Sequence, residues 1–388
     1  LNQRNGILKR VLKALVVFSV FVTVSLTVLV VVNLDTLGQA VRVVGLIKSQ
    51  SINEVDTAGL IKGATVGMVD ALGDPYSVYM EPKLYENMQK NIKGVYGGVG
   101  LLITMGDDHR LIVVSPFKGT PAQRAGIVSG DQILKIDEKD VAELDLEDAA
   151  ELMQGEPGTS VVLLIYREGE PFKEVTLIRE VVEIPTVEGE FLEGQPGIGY
   201  VNISNFSEHT GFELGKVLAE LGKQPIKGLI LDLRSNPGGS LNVAVEVASY
   251  FVPKGPVVHI VGKSSNHTMN TVHPHRLDVP LAVLVNKGSA SASEIVAGAI
   301  KDTNSGILVG ETTFGKGLVQ TLFQLSGGAA LKLTTAKYLT PNNQDINKVG
   351  IIPDVEVKLT PEEEAIALAH APDTNKDAQL AKAIELLQ

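Results

Sequence analysis

The sequence predicts an α/β fold class: a sheet-and-helix core with a smaller β-rich module set in ahead of it. Two textures carry this expectation. In the second half, "GIGYVNI", "GLILDLR", "VVHIV", "LAVLVN" and "GILVGE" (197–203, 228–234, 257–261, 281–286 and 306–311) read as buried strands. Helical stretches such as "HTGFELGKVLAELGK" and "LNVAVEVASYFV" lie between them. That alternation marks an α/β sheet, which places ligands at its strand ends. Before it, "VGLLIT", "LIVVSPF", "DQILKIDEKDV", "SVVLLIYREG" and "EVTLIRE" are short β-branched runs punctuated by Gly, Pro and Asp. With one helix at 146–153 interrupting them, they read as a compact barrel of about 85 residues.

Taken in order, residues 1–13 form a basic head containing Arg4, Lys9, Arg10 and Lys13. Residues 14–33 hold the uncharged run "ALVVFSVFVTVSLTVLVVV", about 19 residues, roughly what a helix needs to cross a bilayer. Cations before it and Asp35 after it predict a single-pass transmembrane helix with a cytoplasmic N-terminus and the rest of the chain outside. A cleaved signal peptide is the alternative, disfavoured by the length of the run and by the lack of a convincing A-x-A site. Residues 34–94 are expected to be helical: "AGLIKGATVGMVDAL" places Leu60, Ile61, Val66, Met68, Val69 and Leu72 broadly on one side, before the turn "GDPYS" at 73–77. The β-rich module takes 95–181, the α/β core 182–360, and a helical tail, 361–388, is expected to cap the core. At 388 residues there is room for two or three cores. A net charge of −11 with no basic stripe excludes a nucleic-acid surface. The absence of cysteine excludes disulfide scaffolds and thiolate zinc sites.

Three stretches carry candidate chemistry. "YGGVGLLI" (96–103) turns through glycine into a strand, exposing backbone N–H groups able to hold a carboxylate, although a plain hairpin turn is the commoner meaning. "LDLRSNPGGSL" (231–241) ends a strand in unhindered N–H groups near a helix start, a reasonable oxyanion site or an ordinary turn. "NKGSASASEI" (286–295) offers Ser289, Ser291 and Ser293, and alternation alone cannot rank them. Serine needs a base. His267, His273 and His275 in "NHTMNTVHPHR" read as a solvated loop, with no acidic or Cys ligands to complete a metal site. Lys316 in "VGETTFGKGLVQT" is wrapped in glycine and apolar residues. Desolvation there would favour its neutral amine, at a cost of about 4 to 5 kcal/mol that the fold must supply.

Two resemblances sharpen this reading. "PAQRAGIVSGDQILKID" (121–137) resembles the signature of PDZ domains, which implies that Gly98, Val99, Gly100 and Leu101 form the loop binding a peptide carboxylate. Over nearly its whole length the chain resembles the carboxyl-terminal processing, or tail-specific, proteases, through "LGDPYS", "DLRSNPGG", "GSASASEIVAGAIKD", "GETTFGKGLVQ" and "GIIPDV" in the family order. The resemblance implies a crotonase-like or ClpP-like α/β protease core with an inserted PDZ domain. It implies Ser291 as nucleophile and Lys316, 25 residues on, as base, with Gln320 orienting the lysine. Ala292 and a glycine of the Gly238/Gly239 pair would form the oxyanion hole, and Asp302 would give structural support. On this reading Ser289 is a turn residue and Ser293 a cap-like neighbour at the helix start. No metal or organic cofactor is required. The implied partners are protein substrates with exposed, unstructured, apolar C-termini, and homo-oligomers through the N-terminal helices and the tail. The implied location is a bacterial cell membrane, catalytic domain outward. Two rivals are weaker. "SPFK" (115–118) matches the S-x-x-K of penicillin-interacting enzymes but sits at a strand-to-turn boundary with neither companion motif. A catalytically silent, membrane-tethered PDZ adaptor would lack the Ser or the Lys, and both are present.

Overall fold

The structure is a computed structural model that describes residues 13, 19, 20, 23 and 34–388, apart from 107, 108, 264, 274, 275, 370, 371, 373 and 374. The apolar run 14–32 therefore lies almost wholly outside the described residues, as does His275. Among the described residues no helix is long and apolar enough to cross a membrane.

The chain divides into two compact units, Leu1–Tyr79 and Met80–Gln388. In the first, α1 (Leu34–Gln50) and α2 (Thr57–Asp70) are joined by a short link, and Asp56 caps α2 by accepting the Gly59 N–H. The turn at 73–77 forms as expected, with Asp74 accepting from the Tyr76 N–H at 3.0 Å. The expected apolar face does not become a core. Of the six residues placed on it only Val69 is buried, while Ile61 and Met68 stay 63% and 66% exposed, because a two-helix unit has too little partner surface to cover them.

The second unit opens with α3 (Pro82–Lys93), with proline in its first turn and ended by Gly94 in the left-handed conformation. Strand β1 (Val95–Gly98) leads into the β-rich module. Its sheet runs through β2 (Leu101–Met105), β3 (Leu111–Pro116), β4 (Gln132–Ile136), β6 (Ser160–Tyr166) and β7 (Lys173–Ile178), with β5 (Lys139–Asp140) paired to β4. The short helix α4 (Pro121–Arg124) and α5 (Leu146–Met153) close it. Alternate residues such as Leu111, Val113, Ile133, Val161 and Leu163 fill its core. The chain leaves by β8 (Glu180–Glu183), which pairs antiparallel with β1.

The core sheet has the order β9 (Val187–Phe191), β10 (Ile198–Ile203), β11 (Gly228–Asp232), β14 (Leu281–Val285), β15 (Ile307–Gly310) and β18 (Val355–Glu356). All neighbours are parallel except β9 with β10. Its central strands are buried on both faces, hence their unbroken apolar runs. Leu229, Leu231, Val283 and Val285 face a core shared with α6 (Thr210–Leu221), α7 (Leu241–Ala248) and α8 (Ala292–Asp302). Ile230, Ala282 and Leu284 face Leu380, Ala383 and Ile384 of α10 (Ala378–Leu387), which follows α9 (Pro361–Ala369). The tail therefore covers the sheet's second face. One expected core strand belongs elsewhere: "VVHIV" lies in β12 (Pro256–Gly262), which joins an antiparallel sheet with β13 (Asn266–Asn270) and β17 (Ala330–Leu339), β17 in turn pairing β16 (Leu318–Gln324). Strands β16 and β17 escape the sequence reading because their residues are mostly half-buried and mix Lys, Thr and Gln with apolar positions.

Candidate active site

Three loops at the C-terminal ends of neighbouring parallel strands converge. The segment after β11 carries Asn236, Gly238 and Gly239, the one after β14 carries the serine run, and the one after β15 carries Lys316. Side chains stitch the first two together. Ser289 Oγ donates to Leu233 O at 2.7 Å and accepts the Asn286 N–H at 3.0 Å. Ser293 Oγ donates to Asn236 O at 2.9 Å. Asn286 Oδ1 accepts the Ser235 N–H at 2.7 Å. Both flanking serines are thus fully buried and committed to backbone.

Ser291 differs. It sits at the N-cap of α8 with φ 55° and ψ −110°, a conformation rare for a residue with a Cβ and stored at such sites only when surroundings enforce it. Among the described residues its hydroxyl donates to no backbone carbonyl, unlike those of Ser289 and Ser293. The cap position belongs to Ser291, and Ser293, expected to be cap-like, lies one residue inside the helix. Ser291 lines a cavity of about 240 Å³ with Gly239, Ala292 and Gln320, walled by Ile92, Leu241, Ile295, Leu318, Val319 and Tyr338.

The N–H of Ala292, in the first turn of α8, and that of Gly239 have no acceptor among the described residues. Gly238 is different, since its N–H already donates to Asn236 Oδ1 at 2.8 Å. Of the glycine pair, Gly239 is therefore the donor left available. Gly238 has its own constraint: with φ at 100°, a Cβ there would lie 2.9 Å from Ser291 Cβ.

Glu294, fully buried, ties the serine to the lysine loop. Its Oε2 accepts the N–H groups of Ser291 and Lys316, both at 2.9 Å, and its Oε1 accepts the Gly315 N–H at 2.7 Å and the Thr313 hydroxyl at 2.6 Å. Tyr338 repeats the link, its hydroxyl donating to Ser291 O at 3.0 Å and to Lys316 O. Burial, and then the nearby Glu294 carboxylate, push that hydroxyl well above its ordinary value, so it remains a donor. Lys316 itself is not among the residues lining the cavity; the structure joins it to Ser291 through Glu294 and Tyr338. Gln320 reaches the cavity from β16, with its Nε2 3.4 Å from Thr334 Oγ1. Asp302 lies at the far end of α8, where its carboxylate accepts the Asn342 N–H at 2.8 Å and holds a turn away from the serine. Glu294 has a sequence signal, the S-x-x-E spacing of a capping box. Tyr338 has none, because 47 residues separate it from Ser291.

The segment from Gly98 to Leu101 lies in the module before β2. Gly100 has φ 79°, and its N–H and that of Val99 have no acceptor among the described residues, while their carbonyls accept the Phe117 and Ala122 N–H groups respectively. Beside it runs a groove of about 760 Å³ between α3, β2 and α5. Ser115 and Lys118, the rival pair, flank the end of β3. His267 is exposed on β13, and the His273 ring packs on Tyr250 at 4.1 Å.

A serine in a strained turn facing a cavity, beside backbone donors at the ends of parallel strands, has the arrangement of a serine hydrolase. Profiles of peptidase family S41 match residues 197–357, of the PDZ domain residues 112–167, and of the activating protease CtpB N-terminal domain residues 29–83. The chain is 39% identical over 325 residues to the carboxyl-terminal-processing protease of Synechocystis sp., covering 82% of this chain and 75% of that one. It is 36% identical over 368 residues to the carboxy-terminal processing protease CtpA of Bacillus subtilis, covering 91% and 78%. A putative S41 protease from Bacteroides fragilis shares the fold, with a TM-score of 0.55 at 17% identity over 87% of this chain and 92% of that one. The chain belongs to the carboxyl-terminal processing serine proteases of peptidase family S41 and carries a PDZ domain.

Proposed function

We propose that the chain removes or trims C-terminal segments of protein substrates by acyl transfer from Ser291. The carrying observation is that, of the three serines in the run, Ser289 and Ser293 donate their hydroxyls to backbone carbonyls whereas Ser291 lines a cavity with Gly239 and Ala292. A substrate's apolar, unstructured tail lies in the groove beside β2, its carboxylate held by the N–H groups of Val99 and Gly100. Ser291 Oγ attacks the scissile carbonyl. Neutral Lys316, oriented by Gln320, takes the serine proton and returns it to the leaving amine, and water then releases the acyl group. Gly239 and Ala292 hold the oxyanion, and removing one such donor typically costs about 10²- to 10³-fold in turnover.

Residues 14–32 are proposed as an anchor in a bacterial cell membrane, with the head 1–13 inside and the catalytic unit outside. The exposed apolar positions of α1 and α2 support pairing between copies.

The test is cleavage of an unstructured peptide with an apolar C-terminus, products identified by mass. Ser291→Ala and Lys316→Ala should each lose cleavage while Ser289→Ala keeps the products unchanged. Loss in Ser289→Ala with retention in Ser291→Ala would sink the assignment.

A further inference from the structure

The loops carrying Gly239 and Ser291 leave the sheet at the ends of two neighbouring strands, β11 and β14. Each loop starts with a buried polar side chain, Arg234 in the first and Asn286 in the second, and the C-terminal tail grips both. Arg234 Nη2 lies 2.8 Å from Asp377 Oδ2, and its Nη1 donates to Gln379 Oε1 at 3.1 Å. Asp232, the last residue of β11, pairs with the same guanidinium at 2.6 Å and accepts the Arg234 backbone N–H at 2.9 Å. The planar fork is thus fixed between strand and tail. Asn286 Nδ2 donates to Glu364 Oε1 of α9 at 2.7 Å and to Ser235 Oγ at 3.2 Å, while its Oδ1 accepts the Ser235 and Gly288 N–H groups.

Ser235 stands at φ 55°, a left-handed conformation that a residue with a Cβ keeps only where its neighbours hold it. Asn286 holds Ser235, and Glu364 holds Asn286. Seating the tail on the sheet does not require these bonds. Leu380, Ala383 and Ile384 already bury α10 against it, and a buried ion pair adds little over apolar packing of the same volume. The polar arms reach instead to the residues from which the two loops start. Asp377 divides the work: its Oδ1 caps α10 by accepting the Gln379 and Leu380 N–H groups, both at 3.0 Å, and its Oδ2 is left for Arg234.

We infer that the C-terminal tail braces the catalytic loops, with Glu364 and Asp377 as positioning residues for the reaction. Glu364 acts through Asn286 on the Ser291 loop, and Asp377 acts through Arg234 on the Gly239 loop. With either arm cut, its loop relaxes, and the nucleophile and the oxyanion donors lose their mutual placement. A misplacement of about 1 Å can cost about 10²-fold in rate. The inference rests on the proposed roles of Ser291 and Gly239.

The experiment uses the full chain in detergent and an unstructured peptide with an apolar C-terminus, kcat and KM being read well below each variant's melting temperature. Glu364→Ala and Asp377→Ser, the second of which keeps a good helix cap, should each lower kcat about tenfold or more with KM within about twofold of the parent's. Glu364→Gln, which keeps the acceptor for Asn286, should restore kcat. Ile384→Ala, which loosens the apolar seat of α10 and touches neither arm, should lower the melting temperature at least as far and leave kcat near the parent's. If Ile384→Ala loses as much kcat as the arm variants, the tail acts through stability alone and the brace is refuted. An arm variant that keeps its kcat removes that arm; if both keep it, the brace is refuted while the Ser291 assignment stands. If Ser291→Ala still cleaves, the reading of the site is wrong and the brace goes with it.

Discussion

At Ser291 the backbone works against stability. A residue with a Cβ at φ 55°, ψ −110° costs on the order of 1 to 3 kcal/mol, held in place by the Glu294 and Tyr338 bonds to its N–H and carbonyl. Ser291→Gly should therefore raise unfolding free energy by about 1 kcal/mol in a denaturant titration while abolishing cleavage. Ser291→Ala, which loses no donated bond, should leave stability within about 0.5 kcal/mol. A Ser291→Gly variant no more stable than the parent would show that the turn is not strained. Glu294→Gln turns one of two acceptor oxygens, each facing two donors, into a donor. An unmet buried group of this kind costs about 1 to 3 kcal/mol. The expected outcome is a large fall in kcat with a small fall in melting temperature. Tyr338→Phe removes only the hydroxyl bridge, and should lower kcat about tenfold with KM unchanged, the signature of a geometry needed in the transition state.

Among the elements, β10, β11, β14 and β15 of the core sheet were legible because burial forces unbroken apolar runs between turn residues, whereas the edge strands β9 and β18, mostly exposed, were not. The sheet to which "VVHIV" belongs was not, since five apolar residues carry no record of their partner, and here the partners are β13 and β17. The same limit hid Tyr338, which reaches the site from β17. Helix α5 was legible to its ends, because Asp145 caps it and Ala149 and Met153 mark its inner face. The PDZ module also carries the clearest pH lever. Burial works against ionisation of Asp131, but Arg167, the Val128 N–H and Lys173 outweigh it and hold its carboxyl below the usual range. Its folded value lies below its unfolded value, so the stabilisation is fully present above about pH 4 and is lost as pH falls through the folded value. Acid unfolding followed by PDZ-specific hydrogen exchange should show the module opening below about pH 4, and Asp131→Asn should lose this pH dependence. Module protection unchanged between the two chains would remove Asp131 from the account.

Across the whole molecule, the five motifs and the PDZ signature specify the family order, but their spacing says nothing of how the serine and lysine loops are physically joined. That joining is done by Glu294 and Tyr338. In the first unit, Val41, Ile61 and Met68 are 72%, 63% and 66% exposed. The proposed pairing between copies would cover such side chains. Light scattering of the full chain in detergent should give a mass above one chain, and Ile61→Glu with Met68→Glu should lower it. A single-chain mass for the parent would exclude pairing through these helices.

The strand pairing β1–β8 gives the molecule a further property. Gly98 and Glu180 stand opposite each other in that register, so the two strands are the arms of a hairpin whose loop happens to be an entire domain. The module also bonds to both arms, through the Gly155 N–H to Gly97 O and through Arg124 to Glu180. The module thus enters and leaves the catalytic unit at one point, its two chain ends held side by side.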